Sequence, residues 1–86
     1  MDTLRGIESF VKAVESGSIA AGARLLGISA AAASQNIARL EASLGIRLLT
    51  RTTRSLALTE SGELYFSQVR NVLRDLELAR SNATLQ

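Results

Sequence analysis

Three consecutive polar residues, Ser34, Gln35 and Asn36, follow the alanines Ala30 to Ala33, and a second polar tract, TRTTRS, runs from Thr50 to Ser55. Hydroxyls and carboxamides both donate and accept hydrogen bonds, and a guanidinium presents a planar fork of donors that fits phosphate or the edge of a heteroaromatic ring. This is the chemistry of recognition. Groups for covalent chemistry are missing: the chain has no His and no Cys, hence no imidazole base, no thiol nucleophile and neither of the usual ligands of zinc and copper. Lys12 is the sole lysine, and no paired carboxylates stand in a recognisable arrangement, so neither an enzyme nor a metal site is expected.

The elements that must position these groups belong to one small domain. At 86 residues the chain is below the size at which a single apolar core comfortably stabilises a fold, so help from a partner is expected. Hydrophobic residues make up 47% of it, which argues against disorder, and only 3% are aromatic, so Leu, Ile, Val and Ala must build the core. Asp2, Arg5, Glu8, Lys12 and Glu15 interrupt the N-terminal segment, and no apolar run approaches the ~18 residues of a membrane span. A cytoplasmic protein with no membrane partner is expected. The formal charge of +2 is unevenly spread: between residues 28 and 58, Arg39, Arg47, Arg51 and Arg54 face only Glu41. Such an arginine-rich middle suits bidentate contacts to phosphate or guanine.

Periodicity places four helices. Leu4, Ile7, Phe10, Val11 and Val14 form one stripe on a helix from Asp2 to Ser16, which Gly17 ends. Ser18 is a suitable N-cap for a short helix through Leu26, in which Ala20, Ala21 and Ala23 allow close packing, and Gly27 terminates it. Ser29 caps a third helix carrying Ala33, Ile37, Leu40 and Leu44 on its core side, closed by Gly45. Only Gly27, Ile28 and Ser29 separate the second and third helices, so the two must cross steeply, as in a helix-turn-helix. The runs IRLL at 46 to 49 and LAL at 56 to 58 flank the polar tract and predict a small two-stranded wing. Thr59 then caps a long helix to Asn82, with Tyr65, Val69, Val72, Leu76, Ala79 and Ala83 at coiled-coil spacing and Phe66 and Leu73 widening the apolar arc. The fold class is therefore mainly α: a winged helix-turn-helix of three helices and a short two-stranded wing over residues 1–58, and a long linker or dimerisation helix over 59–86.

Opposite the core side of the third helix lie Ala31, Gln35, Ala38 and Ala42, with Ser34 and Arg39 at the flanks. A solvated face usually carries Glu and Lys. A strip of Ala and amide fits a surface that must come very close to another, and the major groove of double-stranded DNA admits a helix in this way. Alanine is also simply a good helix former on an exposed face. Two other readings compete: a helical protein-interaction module, for which Arg51 and Arg54 would be superfluous, and a nonspecific architectural DNA binder, which would lack sequence preference.

The segments ESFVKAVESGSIAAGARLLGIS and IARLEASLGIRLLTRTTRSLALTESGELY resemble the N-terminal DNA-binding domain of the bacterial LysR-type transcriptional regulators, and the likeness spans nearly the whole chain. It implies a winged helix-turn-helix that binds a pseudo-palindromic operator as a homodimer paired through the long helix. It also implies a larger effector-binding domain, absent from these residues, that senses a small molecule; no cofactor is expected within this domain. Members commonly read Ser-Gln-Pro-Ala-Val-Ser-Arg-Gln where this chain has Ser29, Ala30, Ala31, Ala32, Ala33, Ser34, Gln35 and Asn36. Only Ser29, Ala32 and Ser34 are kept, so the family's usual base contacts do not transfer to positions 30, 31 and 35.

The expected DNA-binding residues follow. The Gln35 amide matches the N6 and N7 edge of adenine, and Ala30 and Ala31 either touch thymine methyls or permit close approach. Ser34 and Asn36 are expected to hydrogen-bond phosphate or bases, and Ser18 and Ser29 sit at helix N-termini that favour phosphate but also serve as plain caps. Arg51, Thr52, Thr53 and Arg54 are expected on phosphates or in the minor groove, as the resemblance also implies. Arg39 either joins them or pairs with a carboxylate, and Glu41 is expected to be structural. The expected dimerisation seam is Tyr65, Val69, Val72, Leu73, Leu76 and Ala79; the stripe Tyr65, Val69, Val72 and Leu76 either packs on the first helix, dimerises, or does both with different edges.

Overall fold

The computed structural model describes residues 2–50 and 56–85. In chain order it comprises α1 (Asp2–Ser16), α2 (Ile19–Leu26), α3 (Ala30–Leu44), β1 (Leu49–Thr50), β2 (Ala57–Leu58) and α4 (Glu60–Thr84). The long helix runs two residues beyond the expected Asn82, and the strands are shorter than the runs that predict them. Gly17, Gly27 and Gly45 all take positive φ at the helix ends where the sequence places them.

α1 lies at the centre and packs against α2, α3 and α4. Its Phe10, Val11 and Ala13 are almost wholly buried and join Ile37 and Leu40 of α3, Leu48 and Leu49 before and in the wing, and Val69 and Leu73 of α4 in one core. Phe10 meets Tyr65 at 6.0 Å and Phe66 edge-on at 6.1 Å between ring centroids. Burying a side chain of this size contributes about 1.5–3 kcal/mol, so α1 is the element the others need most.

Of the expected small residues of α2, Ala23 is buried, Ala21 half-buried and Ala20 exposed. α2 also comes close to α1 at Gly22, where a Cβ would stand 2.6 Å from the Ala13 amide nitrogen. α3 also departs from its expected stripe at one point. Leu44, at the last position before Gly45, is 39% exposed, and Glu41 takes the fourth buried place with Ala33, Ile37 and Leu40.

The two strands pair antiparallel, Leu49 with Leu58 and Thr50 with Ala57. Their inner ends join the core through Leu48 and Leu49, which sets the wing beside the C-terminal end of α3. The expected seam on α4 divides. Val69 and Leu73 are buried in the chain's own core and Tyr65 is half-buried there, whereas Val72, Leu76 and Ala79 are exposed.

Candidate nucleic-acid interface

α3 begins where the Ser29 hydroxyl accepts the Ala32 N–H at 3.0 Å, and α2 begins the same way with Ser18 and the Ala21 N–H at 3.0 Å. Both serines are thus engaged as caps, the plainer of the two roles open to them, while the N-termini they cap remain exposed. Along α3, Ala30, Ala31, Gln35, Ala38 and Ala42 are exposed and Ser34 is half-buried. Ser29, Ala31, Ala32, Ser34, Gln35 and Ala38 together line a shallow, open depression. Its floor is methyl groups and its hydrogen-bonding groups are hydroxyls and one carboxamide. Such a surface can approach a polar partner closely without having to strip water from a charge of its own.

Asn36 is turned the other way. Its Nδ2 donates to Ser9 Oγ of α1 at 3.1 Å, and Ser9 is 1% exposed. Through this one N–H the half-buried amide ties α3 to α1, a structural role beside the contact to bases or phosphate expected of it. Arg39 is exposed beside Thr3 and Ser43 and makes no ion pair with any described residue. Arg51, Thr52, Thr53 and Arg54 lie outside the described residues.

One residue of the face was not assigned a role by sequence reasoning. Arg47, exposed, lines an open depression with Ala38, Ala42, Gly45 and Ile46, so a guanidinium stands next to the lower half of the alanine strip. Its signal was present in the arginine-rich middle of the chain, but periodicity does not reach across the turn at Gly45. Glu41, expected to be structural, is: its Oε2 accepts the Leu48 N–H at 2.8 Å and the Leu49 N–H at 3.1 Å.

A pair of helices joined by a three-residue turn and packed on a third, an exposed small-residue strip on the second of the pair and an antiparallel wing at its far end define a winged helix-turn-helix protein. The family model described as bacterial regulatory helix-turn-helix protein, lysR family, matches residues 4–63, and the chain belongs to that family. The HTH-type transcriptional activator AaeR of Escherichia coli K12 is 40% identical over 77 residues, 90% of this chain and 25% of the relative. The HTH-type transcriptional regulator PtxR of Pseudomonas aeruginosa is 44% identical over 79 residues, 92% of this chain and 25% of the relative. The chain thus spans about a quarter of the length of the curated relatives it matches. Among solved structures, the DNA-binding domain of BenM in complex with catB site 1 DNA superposes with a TM-score of 0.81 at 32% identity, covering 91% of this chain and 84% of that one. The CbnR DNA-binding domain complexed with DNA gives 0.79 at 31%, covering 95% and 97%. The full-length Vibrio cholerae virulence activator AphB gives 0.87 at 33%, covering 94% of this chain and 28% of that one.

Proposed function

We propose that these residues form the sequence-specific DNA-binding part of a transcriptional regulator, which binds a pseudo-palindromic operator as a dimer with α3 in the major groove and the wing on the minor groove and backbone. The observation that carries this reading is the exposed strip Ala31, Gln35, Ala38 and Ala42, small enough for close approach and furnished with one bidentate amide. The likeness to two DNA-binding domains solved on DNA supports it.

Phosphate contacts fall to the arginines of the middle of the chain. Arg39, Arg47, Arg51 and Arg54 would supply affinity and salt dependence, while Gln35 supplies choice of base. Thr52 and Thr53 stand between the last two arginines, and the capped N-termini of α2 and α3, at Ser18 and Ser29, add N–H groups that favour phosphate. Two copies joined through the exposed Val72, Leu76 and Ala79 of α4 would present two reading helices to successive major-groove faces. A small-molecule effector would act through a further domain of the whole protein, and this part works without a cofactor. A DNA operator places its work in the cytoplasm; no described helix is long and apolar enough to cross a membrane.

Selection of bound duplexes from a randomised DNA pool at near-physiological salt tests the proposal. A two-fold symmetric motif is expected. Retention of duplexes without any enriched motif, by protein shown to be folded, would replace it with nonspecific binding, and no retention at all would favour a protein partner.

A further inference from the structure

We propose that Glu41 and Thr59 are positioning residues for DNA reading: they grip residues 47–49 from opposite sides and so hold the wing, α3 and α4 in one mutual orientation. The inference rests on the DNA-reading role of α3, and it gives two further residues the part of letting wing and helix engage one duplex together.

The fold leaves α3 and α4 connected chiefly through intermediaries. α3 packs on α1 and α2, and α4 packs on α1 and β2. Between them runs the segment from Arg47 to Leu49, which is bonded from both sides. From α3, the Glu41 carboxylate accepts both the Leu48 and the Leu49 N–H. The backbone carbonyl of the same residue accepts the N–H of Gly45 at 2.8 Å and of Ile46 at 3.3 Å, so Glu41 organises the whole turn from helix to strand. From the α4 side, the Thr59 hydroxyl donates to the Arg47 carbonyl at 2.6 Å and the Thr59 N–H to the Leu48 carbonyl at 3.0 Å. The same hydroxyl accepts the Gly62 N–H at 2.9 Å as the N-cap of α4. A Cβ on Gly62 would collide with the Leu48 carbonyl oxygen, so the first turn of α4 sits directly against the segment.

Glu41 is 6% exposed and is the only buried charged side chain among the described residues. Stability alone is a poor reason to place it there, since an apolar side chain of similar volume avoids the cost of desolvating a carboxylate. What an apolar side chain does not provide is direction. Two charge-assisted hydrogen bonds to successive N–H groups fix both the distance and the rotation of the strand relative to α3. Thr59 does the same for the strand and α4, and the two residues meet on Leu48.

The test compares the wild-type chain with Glu41→Leu and Thr59→Val, which act on the segment from opposite sides and remove the acceptor and the hydroxyl, and with Thr59→Ser, which keeps the hydroxyl. Affinities are measured across a salt series for an operator found by pool selection and for the same operator trimmed of the flanking base pairs outside the half-site cores. Circular dichroism sets a temperature at which each chain is folded, so lost stability does not enter. For the wild type, trimming is expected to cost about tenfold and to flatten the salt slope by about 1 to 2, as one or two phosphate contacts would. For Glu41→Leu and Thr59→Val, trimming is expected to cost less than about threefold, with the flatter slope already present on the untrimmed duplex and the base preference at the Gln35 position retained. Thr59→Ser should behave as wild type. Should either folded variant lose as much on trimming as the wild type does, the positioning role is overturned, whatever its overall affinity. A wild type indifferent to trimming overturns it too. A wild type without any sequence preference would overturn the DNA-reading proposal itself, and this one with it.

Discussion

Among Ala31, Gln35, Ala38 and Ala42, Gln35 alone carries hydrogen-bonding groups beyond the backbone. Gln35→Ala is therefore expected to relax base choice at one position of each half-site, at a cost of about 1–3 kcal/mol against the preferred base and little against others. Competition among operators that differ at single positions measures this, and an unchanged preference profile would remove Gln35 from the reading face. Arg51→Ala should behave in the opposite manner, weakening all duplexes alike and flattening the salt slope by about 1. A loss confined to one operator would count against a phosphate role. Neighbours in sequence need not share a role, as Asn36 shows. It follows Gln35 by one residue, about 100° around the helix, and that turn carries its amide to Ser9.

At the scale of elements, the informative approach is between α1 and α2. Replacing glycine with alanine within a helix ordinarily stabilises by about 0.5–1 kcal/mol. At Gly22 the sign should reverse, because the added methyl would meet α1 backbone, and the backbone must shift to admit it. A loss of about 1–3 kcal/mol is expected, lowering Tm by about 4–8 °C for each kcal/mol. Thermal unfolding followed by circular dichroism decides, and an unchanged or raised Tm would show that α2 can move away at little cost.

The helices themselves were legible in the sequence because their signals are local. Caps at Ser18, Ser29 and Thr59 and terminators at Gly17, Gly27 and Gly45 act within one turn of the residues they control. The alanine strip was legible as a face for the same reason. What local reading missed depends on chain brought from elsewhere: the Asn36–Ser9 bond spans 27 residues, and Glu41 replaces Leu44 in the buried face only because Leu48 and Leu49 return to it. Likewise the seam on α4 reads as one stripe, and only the position of α1 assigns Val69 and Leu73 to the core while leaving Val72 and Leu76 outside.

For the whole molecule, Val72 and Leu76 are each about half exposed one turn apart on α4, the apolar pair that the proposed dimer would cover. The wild type is expected to sediment as the proposed dimer and Leu76→Asp, at the same concentration, as a monomer with its helical circular dichroism intact. DNA selection with that variant should then return single half-sites. A dimer that survives the substitution would place the contact elsewhere.

α4 is also a lever arm. About 25 Å separates Thr59 from Leu76 at ~1.5 Å per residue, and over that span a tilt of about 10° moves one end by about 4 Å. That exceeds the ~3.4 Å rise between neighbouring base pairs. The arm is held at its start by the Thr59 bonds to Arg47 and Leu48 and along its first half by Val69 and Leu73 in the core and Tyr65 and Phe66 against it, with the Lys12 ammonium 3.5 Å from Glu77 beyond them. In the proposed dimer, the stiffness of this anchorage would set how much the distance between half-sites can vary before one of the two reading helices loses its groove.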